Sequence, residues 1–261
     1  MRRLYKSPMR KRLFGTAIIA PVLAAVAIAG CAGGDESPAP AKPDLPQGSE
    51  RVKLDPADFT VDIDNPYWPM SPGSRWVYRE TDATGAKEKI VVTVTHKTKM
   101  IANGIEARVV RDVASKNGTP IEITDDWYAQ DKSGNIWYLG EAVRNYENGK
   151  LVDRAGSFEA GVDGAQAGVV MPANPKPGLE YRQEYYKGKA EDKGAVITVG
   201  QEQVEVPFGY FKGVLMTRDL APTEPKVQEL KFYARGVGPL LSMHTDGAGG
   251  RAALVSYTPG R

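Results

Sequence analysis

The sequence is poor in the residues from which metal and catalytic sites are most often built. Its 261 residues include one cysteine and two histidines. A single cysteine excludes an internal disulfide and any cysteine-based zinc cluster. Two histidines leave little material for a histidine-rich metal site. We therefore expect neither a metal site nor a cofactor.

Motifs for nucleotide binding and covalent catalysis are also missing. The chain has no P-loop, no G-x-G-x-x-G after a predicted strand and no complete G-x-S-x-G nucleophile elbow. Residues 131–142 fail the calcium-loop template, because Ile136 and Ala142 stand where Gly and Glu are needed. An enzyme is therefore the less favoured interpretation. A hydrolase built from scattered residues around His96 or the acidic residues of 125–131 stays open.

Positive charge is concentrated at the amino terminus and is scarce elsewhere. Six of the 34 basic side chains lie in the first 30 residues, which hold no acidic side chain. The other 28 basic residues stand against 32 acidic ones, so the rest of the chain is slightly negative. Because it has no basic body, we expect no nucleic-acid partner.

The start of the chain is typical of an export signal. Residues 1–12 are basic, and the apolar run over 13–29 is shorter than the roughly 20 residues of a spanning helix. The run leads into Ile-Ala-Gly-Cys at residues 28–31, which resembles the lipobox of bacterial lipoproteins. The resemblance implies a signal peptide over residues 1–30 and an N-terminal Cys31 that carries diacylglyceryl and palmitate chains.

Composition changes after Cys31. The stretch that follows is rich in Pro, Gly and Ala and has no apolar periodicity, so it cannot bury enough surface to fold. We predict a flexible tether over residues 31–60 and a β domain over 61–261, whose first aromatic anchors are Tyr67 and Trp68. The protein is expected to be extracytoplasmic and held at a bacterial membrane by its lipidated cysteine.

Alternation of apolar and polar residues predicts β structure through the rest of the chain. In residues 89–100, for example, Ile90, Val92 and Val94 fall on one face together with His96. Asn-Gly pairs and other short turn sequences separate about ten to twelve such segments, and no convincing amphipathic helix interrupts them. The sequence predicts a mainly β fold of antiparallel meander sheets, as a curved half-barrel or a β-sandwich-like architecture.

A shift of 105 residues aligns two parts of the chain in spacing and residue type. The matched pairs include Trp76 with Tyr181, Val94 with Val199, and Trp127 with Phe232. This similarity predicts an internal duplication, with one sheet over residues 72–140 and an equivalent sheet over 177–247. A period this long describes a folding unit and not a solenoid repeat.

Two short motifs in the second half resemble a poorly characterised group of bacterial envelope proteins. They read V-P-F-G-Y-F over residues 206–211 and Y-A-R-G-V-G over 233–238. Members of this group are similar to the curved half-barrel sheets of the lipoprotein carriers LolA and LolB. The resemblance implies a deep concave apolar face that could accept a lipid or small ligand. It supplies no catalytic motif.

Five residues are candidates for lining such a face. Alternation places His96 and Asp125 on presumed inner faces, and the duplication makes Gln201 the counterpart of His96. Trp127 and Phe232 are aromatic residues of predicted strands. Because a buried charge needs a partner, we predict that the three polar residues share one cleft with aromatic walls. Solvated side chains at a barrel rim are the alternative.

Three functions are open at this point. The first is a binding or carrier lipoprotein whose concave face accepts an apolar ligand or lipid. The second is a structural or interaction lipoprotein that meets another envelope protein through exposed strand edges. The third is the hydrolase mentioned above. The lack of a catalytic constellation favours the first two.

Overall fold

The structure, a computed structural model, describes residues 45–82, 85–222, 228–245 and 250–261. The predicted signal peptide and Cys31 lie outside these ranges. The described residues form one short 3-10 helix, Pro56–Asp58, and sixteen strands. Within these ranges, no helix combines the length and the apolar character that a membrane span requires.

The strands follow one another along the chain with short connections. They are β1 Phe59–Thr60, β2 Arg75–Asp82, β3 Lys87–Met100, β4 Glu106–Lys116, β5 Thr119–Asp131, β6 Ile136–Glu147, β7 Lys150–Asp153, β8 Phe158–Glu159, β9 Gln166–Met171, β10 Glu180–Arg182, β11 Glu184–Tyr185, β12 Lys193–Val206, β13 Gly209–Leu220, β14 Gln228–Ala234, β15 Gly238–His244 and β16 Gly250–Thr258.

The strands make one antiparallel sheet that is nearly closed into a barrel. Thirteen of them pair side by side in the order β10-β12-β13-β14-β15-β16-β2-β3-β4-β5-β6-β9-β11. Strand β1 pairs with β5, and β7 and β8 pair with β6. The prediction of a mainly β, antiparallel meander is confirmed, and the sheet curves further than the predicted half-barrel.

Tight turns join the long hairpins where the sequence predicts them. At Asn117-Gly118 and at Asn148-Gly149, both residues have positive φ, between 50° and 81°. This is the geometry of a two-residue type I′ turn, which Asn-Gly adopts readily and which matches the twist of the flanking strands. The flanking residues pair directly, Lys116 with Thr119 and Glu147 with Lys150.

The two ends of the sheet meet in a single short segment of the chain. Strands β10 and β11 are separated only by Gln183; β10 pairs with β12, and β11 pairs with β9. Two glycines allow the close approach. A Cβ at Gly168 would overlap the backbone of Arg182 and Gln183, and a Cβ at Gly194 would lie 2.5 Å from the ring of Tyr181. Residues 180–185 are therefore the closing segment of the barrel.

A loop before β2 covers one side of the core with aromatic side chains. Asn65 anchors this loop by donating to the carbonyl of Gly134 at 2.9 Å and by accepting from the amide of Tyr67 at 2.9 Å. The ring of Trp68 lies 5.7 Å from that of Tyr128 in β5 and 6.1 Å from that of Tyr233 in β14. These strands are far apart in the sheet, so Trp68 packs across the interior.

The two predicted repeats share only part of their strand order. Residues 72–140 contain β2 to β5 and the start of β6, which pair in chain order, whereas 177–247 contain β10 to β15, of which β11 pairs with β9 and the others pair in chain order. Trp76 and Tyr181 are both fully buried in the first strand of each set. Strand order does not test superposition of the two ranges, so the duplication stays a prediction.

Replacing Trp68 should destabilise the barrel strongly. Trp68→Ala leaves a cavity between β5 and β14, and we expect a loss of about 3–5 kcal/mol in the free energy of unfolding. Tyr210→Ala is the control, since Tyr210 is 56% exposed, and its effect should stay within about 0.5 kcal/mol. Denaturant titration measures both variants. Equal effects would contradict this role of Trp68.

Candidate functional site

The barrel interior contains a group of five buried tyrosines. They are Tyr78 of β2, Tyr128 of β5, Tyr138 of β6, Tyr181 of β10 and Tyr233 of β14. Burial raises the pKa of all five hydroxyls well above the usual value, and neighbouring aspartates raise it further. The hydroxyls therefore stay protonated and can donate or accept hydrogen bonds.

Carboxyl groups stand beside these tyrosines on β4, β5 and β6. Asp112, Asp126 and Glu141 are all buried, and Asp126 and Glu141 are direct cross-strand partners. Tyr138 donates a hydrogen bond to Asp126 at 2.8 Å. Burial raises the pKa of Asp126 to about 7, and the charges of Glu141 and Asp112 act in the same direction. Burial and the neighbouring carboxylates therefore favour the protonated form of Asp126.

A second buried network lies on β13, β14 and β15. The Lys231 ammonium is 2.8 Å from Asp219 and 3.6 Å from Glu229, and Ser242 donates to Glu229. Burial raises the pKa of Glu229 to about 8; Asp219 adds to the shift and Lys231 opposes it. Burial alone would lower the pKa of Lys231, but Asp219 and Glu229 raise it. The raised pKa favours the protonated form of Glu229, which lies beside the contact between Lys231 and Asp219.

The interior therefore differs from the apolar concave face that the resemblance implied. Its buried side chains include aromatic rings, but also carboxyl groups, hydroxyls and an ammonium group. Removing ionisable groups from water is costly, and such networks are a poor means of stabilising a fold. In the described ranges, no group of three or more His, Cys, Asp or Glu side chains is arranged to hold a metal ion.

A second feature lies outside the barrel, where residues 45–54 run across the closing segment. We call these residues the strap. The Arg182 amide donates to Pro46 at 2.6 Å, Gln47 donates to Glu180 at 2.7 Å, and Gln166 donates to Ser49 at 2.9 Å. The strap therefore forms hydrogen bonds with β10 in the closing segment and with β9, the partner of β11. Composition predicts a flexible tether for these residues.

Arg182 is the centre of these contacts. Its side chain lies beneath the strap and is 2% exposed. Its guanidinium donates to the carbonyls of Gly48 at 2.5 Å and Glu50 at 2.7 Å on the strap, and twice to Ala167 of β9, at 2.8 and 3.2 Å. One side chain thus joins the strap, the closing segment and the opposite edge of the sheet. Desolvation lowers the pKa of Arg182.

Two cavities flank Arg182. One has a volume of about 280 Å³ and lies between the strap and the β8–β9 segment; we call it the strap groove. Its apolar wall consists of Val52, Leu54, Ala160, Ala165 and Ala167, and its polar groups include Arg51, Gln166 and Arg182. The other cavity, of about 260 Å³, has a polar lining that includes Glu184, Glu191, Asp192 and Lys193.

The predicted polar site residues do not converge in the structure. His96 and Gln201 are both exposed. Each lies at an irregularity in strand pairing, between Val94 and Thr98 in β3 and between Val199 and Glu202 in β12. Such irregularities break the alternation on which the prediction of an inner face depended. Neither residue lines the strap groove.

The predicted inner-face position of Asp125 is wrong. Its partly buried carboxylate accepts from Arg111 at 2.7 Å and from Arg144 at 2.9 Å. Partial burial opposes the shift, but these two hydrogen bonds lower the pKa of Asp125. The interior face of β5 consists instead of its neighbours Thr124 and Asp126, which are buried.

The two aromatic candidates also lie away from the strap groove. Trp127 lies two residues after Asp125 and so on the same outer face of β5. It is largely buried, and the Lys99 ammonium lies 4.5 Å from its ring centre. Phe232 is half-buried and pairs with Leu241 across β14 and β15. A role of these five residues in ligand binding stays a prediction.

Sequence reasoning missed Arg182 and the strap. Residue 182 falls within the predicted sheet over 177–247, and an arginine in a predicted sheet carries no signal of burial. The strap contributes few apolar residues, chiefly Leu45, Val52 and Leu54. The only local hint is that Val52 and Leu54 alternate with Arg51 and Lys53 in a half-buried pattern.

Comparisons with known proteins give a likeness of fold alone. No protein-family model matches the chain, and no curated protein matches it. A proposed lipoprotein from Parabacteroides distasonis is 14% identical, with 74% of this chain and 98% of that chain covered and a TM-score of 0.40. A β-barrel-like protein of the domain of unknown function DUF1849 from Brucella abortus is 11% identical, with 72% and 97% covered and a TM-score of 0.33. Neither likeness confirms the resemblance to LolA and LolB.

The buried carboxyl groups predict that stability falls as the pH rises. Asp126 and Glu229 titrate near 7 and 8, against ordinary values of 3.8 and 4.5. Their stabilisation is complete below the ordinary values and is lost progressively as the pH rises from there to about 7 and 8, because over this range the folded state holds more protons than the unfolded state. Asp126→Asn should flatten the fall in Tm between pH 5 and 8. Each kcal/mol corresponds to about 2–4 °C.

The control for this series is Asp163→Asn, which changes an exposed aspartate on the β8–β9 connection. It should leave the slope of Tm against pH unchanged. Thermal unfolding of the two variants and the wild type at six or more pH values gives the comparison. A slope for Asp126→Asn equal to that of the wild type would mean that Asp126 does not titrate in this range.

Removing Arg182 should release the strap. Hydrogen bonds to charged groups each contribute about 1.5–3 kcal/mol, so Arg182→Ala should lower the free energy of unfolding by at least about 3 kcal/mol. Amide exchange over residues 45–54 should speed up before global unfolding. Arg154→Ala, which removes an exposed arginine, is the control. If amide exchange over residues 45–54 is unchanged in Arg182→Ala, Arg182 does not hold the strap on the closing segment.

Proposed function

We propose that this protein is a lipid-anchored protein of the bacterial cell envelope whose strap groove binds a small ligand with an apolar part. The proposal combines an anchor and a binding site. The anchor is supported by the sequence, in which the only cysteine follows an export signal at the position that lipidation requires. The binding site is supported by the strap groove.

The strap groove is the observation that carries the binding function. It is a concavity with a wall of five aliphatic side chains and a few polar groups, which is the usual make-up of a small-molecule site. Its volume of about 280 Å³ lies close to the lower end of the range for such sites. A ligand with a short apolar portion fits this space better than a complete membrane lipid does.

The position of the strap relates the site to the anchor. Thirteen residues separate Cys31 from Leu45, the first described residue. At about 3.3–3.6 Å per residue, the chain from Cys31 to Leu45 spans at most about 50 Å. A lipidated Cys31 would therefore hold the strap groove within reach of the membrane surface, where amphiphilic ligands are concentrated.

The alternative of strand-edge pairing with another envelope protein receives less support from the fold. A partner that adds a strand needs a long row of unpaired backbone groups. The two ends of the sheet, β10 and β11, belong to one segment and are each paired. In the described ranges, the strands bonded on one side only are β1, β7, β8, β10 and β11, with two to four residues each. Strand β10 covers β12 only at residues 193–195, so the rest of that edge of β12 is not paired with a described strand.

The anchor is tested by Cys31→Ser. Without the thiol, the chain cannot accept a diacylglyceryl group, and we expect it to accumulate as the unprocessed precursor. Mass spectrometry of the amino-terminal peptide and fractionation of cells measure this directly. A variant that still matures and stays in the membrane fraction would show that the lipobox interpretation is wrong.

The binding site is tested by filling the groove. Native mass spectrometry of protein purified from its own membrane should detect a co-purified small molecule. Val52→Trp places a large ring in the groove and should lower its occupancy at least tenfold. Val152→Trp, at an exposed position of β7, should retain it. Absence of any bound molecule in the wild type, or equal loss in both variants, would contradict a ligand in this groove.

A further inference from the structure

We propose that the strap groove selects an anionic amphiphile, a molecule with a carboxylate or phosphate head and a short apolar chain. The inference rests on the proposed binding function and assigns its ligand class. It follows from the charge of the two arginines in the groove and from what surrounds them.

Arg182 is a buried cation whose partner among the carboxylates is Glu50, which interacts with it electrostatically but forms no salt bridge with it. Four of its five N–H groups bond to backbone carbonyls, and none of the salt bridges in the described ranges includes it. Carbonyl dipoles satisfy its hydrogen bonds but leave its full positive charge in place. A buried charge of this kind is normally paired, so the groove carries an attraction for an anion.

The nearest candidate for a counter-ion is already engaged. The Glu50 carboxylate on the strap accepts from the amides of Gln47 and Gly48. The Gln47 bond is the main cause of the lowered pKa of Glu50. Glu50 is not part of the groove lining, whereas Arg182 is. The Glu50 carboxylate therefore acts on Arg182 through space and not through a hydrogen bond. Within the described ranges, four of the five N–H groups of Arg182 donate to carbonyls and the fifth makes no hydrogen bond.

Arg51 adds a second positive charge to the same groove. It is an exposed residue of the strap, lines the groove, and forms no salt bridge within the described residues. A guanidinium with free donors suits a carboxylate or phosphate, because two parallel N–H groups can bond to two oxygens of one anion. The exposed Arg51 and the buried Arg182 are the charged residues of the groove lining, so the charge of the groove is positive.

The apolar wall fixes the rest of the ligand. Val52 and Leu54 from the strap face Ala160, Ala165 and Ala167 across the groove. Contacts with these side chains favour a hydrocarbon chain, and the small alanines provide the room for it. An inorganic anion would leave this wall exposed to water, and a neutral hydrocarbon would leave the Arg51 charge without a counter-ion. The head and the chain are therefore recognised together.

Three ten-carbon probes that differ only in their heads test the proposal. Sodium decanoate, decanol and decyltrimethylammonium are added separately to membrane-purified protein in a neutral maltoside detergent, and native mass spectrometry measures the bound fraction. We expect one decanoate per chain, with an apparent affinity at least tenfold higher than that of the other two probes. Arg51→Glu should reduce decanoate binding at least tenfold. Lys53→Glu makes the same charge change on the strap outside the groove and should alter it less than twofold.

The outcomes separate this inference from the proposed function. Equal binding of decanol and decanoate, with no effect of Arg51→Glu, would overturn the anion selectivity while the groove remains an apolar site. Equal losses in Arg51→Glu and Lys53→Glu would show general electrostatic attraction and would also overturn it. If no probe binds and no molecule co-purifies, the proposed binding function itself fails. Melting temperatures within 2 °C, a threshold of about 1 kcal/mol, confirm that the two exposed-site variants remain folded.

Discussion

Closure of the barrel at residues 180–185 is the constraint on which the rest of the molecule depends. This segment pairs with β12 through β10 and with β9 through β11, and only five of its residues take part in this pairing. Gly168 and Gly194 let the chains approach, and Arg182 links the two sides to the strap. The Arg182 guanidinium donates to the carbonyls of Gly48 and Glu50. The strap, which lies in the predicted tether, therefore takes part in closing the barrel. The strap groove exists because the strap is held there.

The polar interior is a second consequence of closing a sheet of this size. A meander of thirteen strands encloses more space than aliphatic side chains alone would order, and here Trp68 and five tyrosines fill much of it. The hydroxyl and carboxyl groups then need hydrogen-bond partners from neighbouring strands. Pairs such as Tyr138 with Asp126 and Lys231 with Asp219 provide them. The two networks fix which strands face each other and make the stability of the barrel depend on pH.

The sequence predicts this fold better than it predicts the site. Regular alternation identifies strands such as β3, and Asn-Gly pairs identify the hairpin turns. The same alternation misleads in β5, where the more apolar face, with Ile121 and Ile123, lies outside and Asp126 lies inside. A pattern separates two faces of a strand but does not say which one is inside when the interior is polar. Arg182 could not be found because its partners are backbone carbonyls of a segment whose composition suggests disorder.

The most direct test of this account is an experimental structure of the protein purified from its own membrane with its co-purified ligand retained. The account predicts density for one small amphiphile in the strap groove, with its anionic head between Arg51 and Arg182 and its chain against Ala165 and Ala167. The strap should lie across residues 180–185, with Arg182 bonded to its carbonyls. Ligand density inside the barrel together with an empty strap groove, or a strap detached from the closing segment, would contradict it.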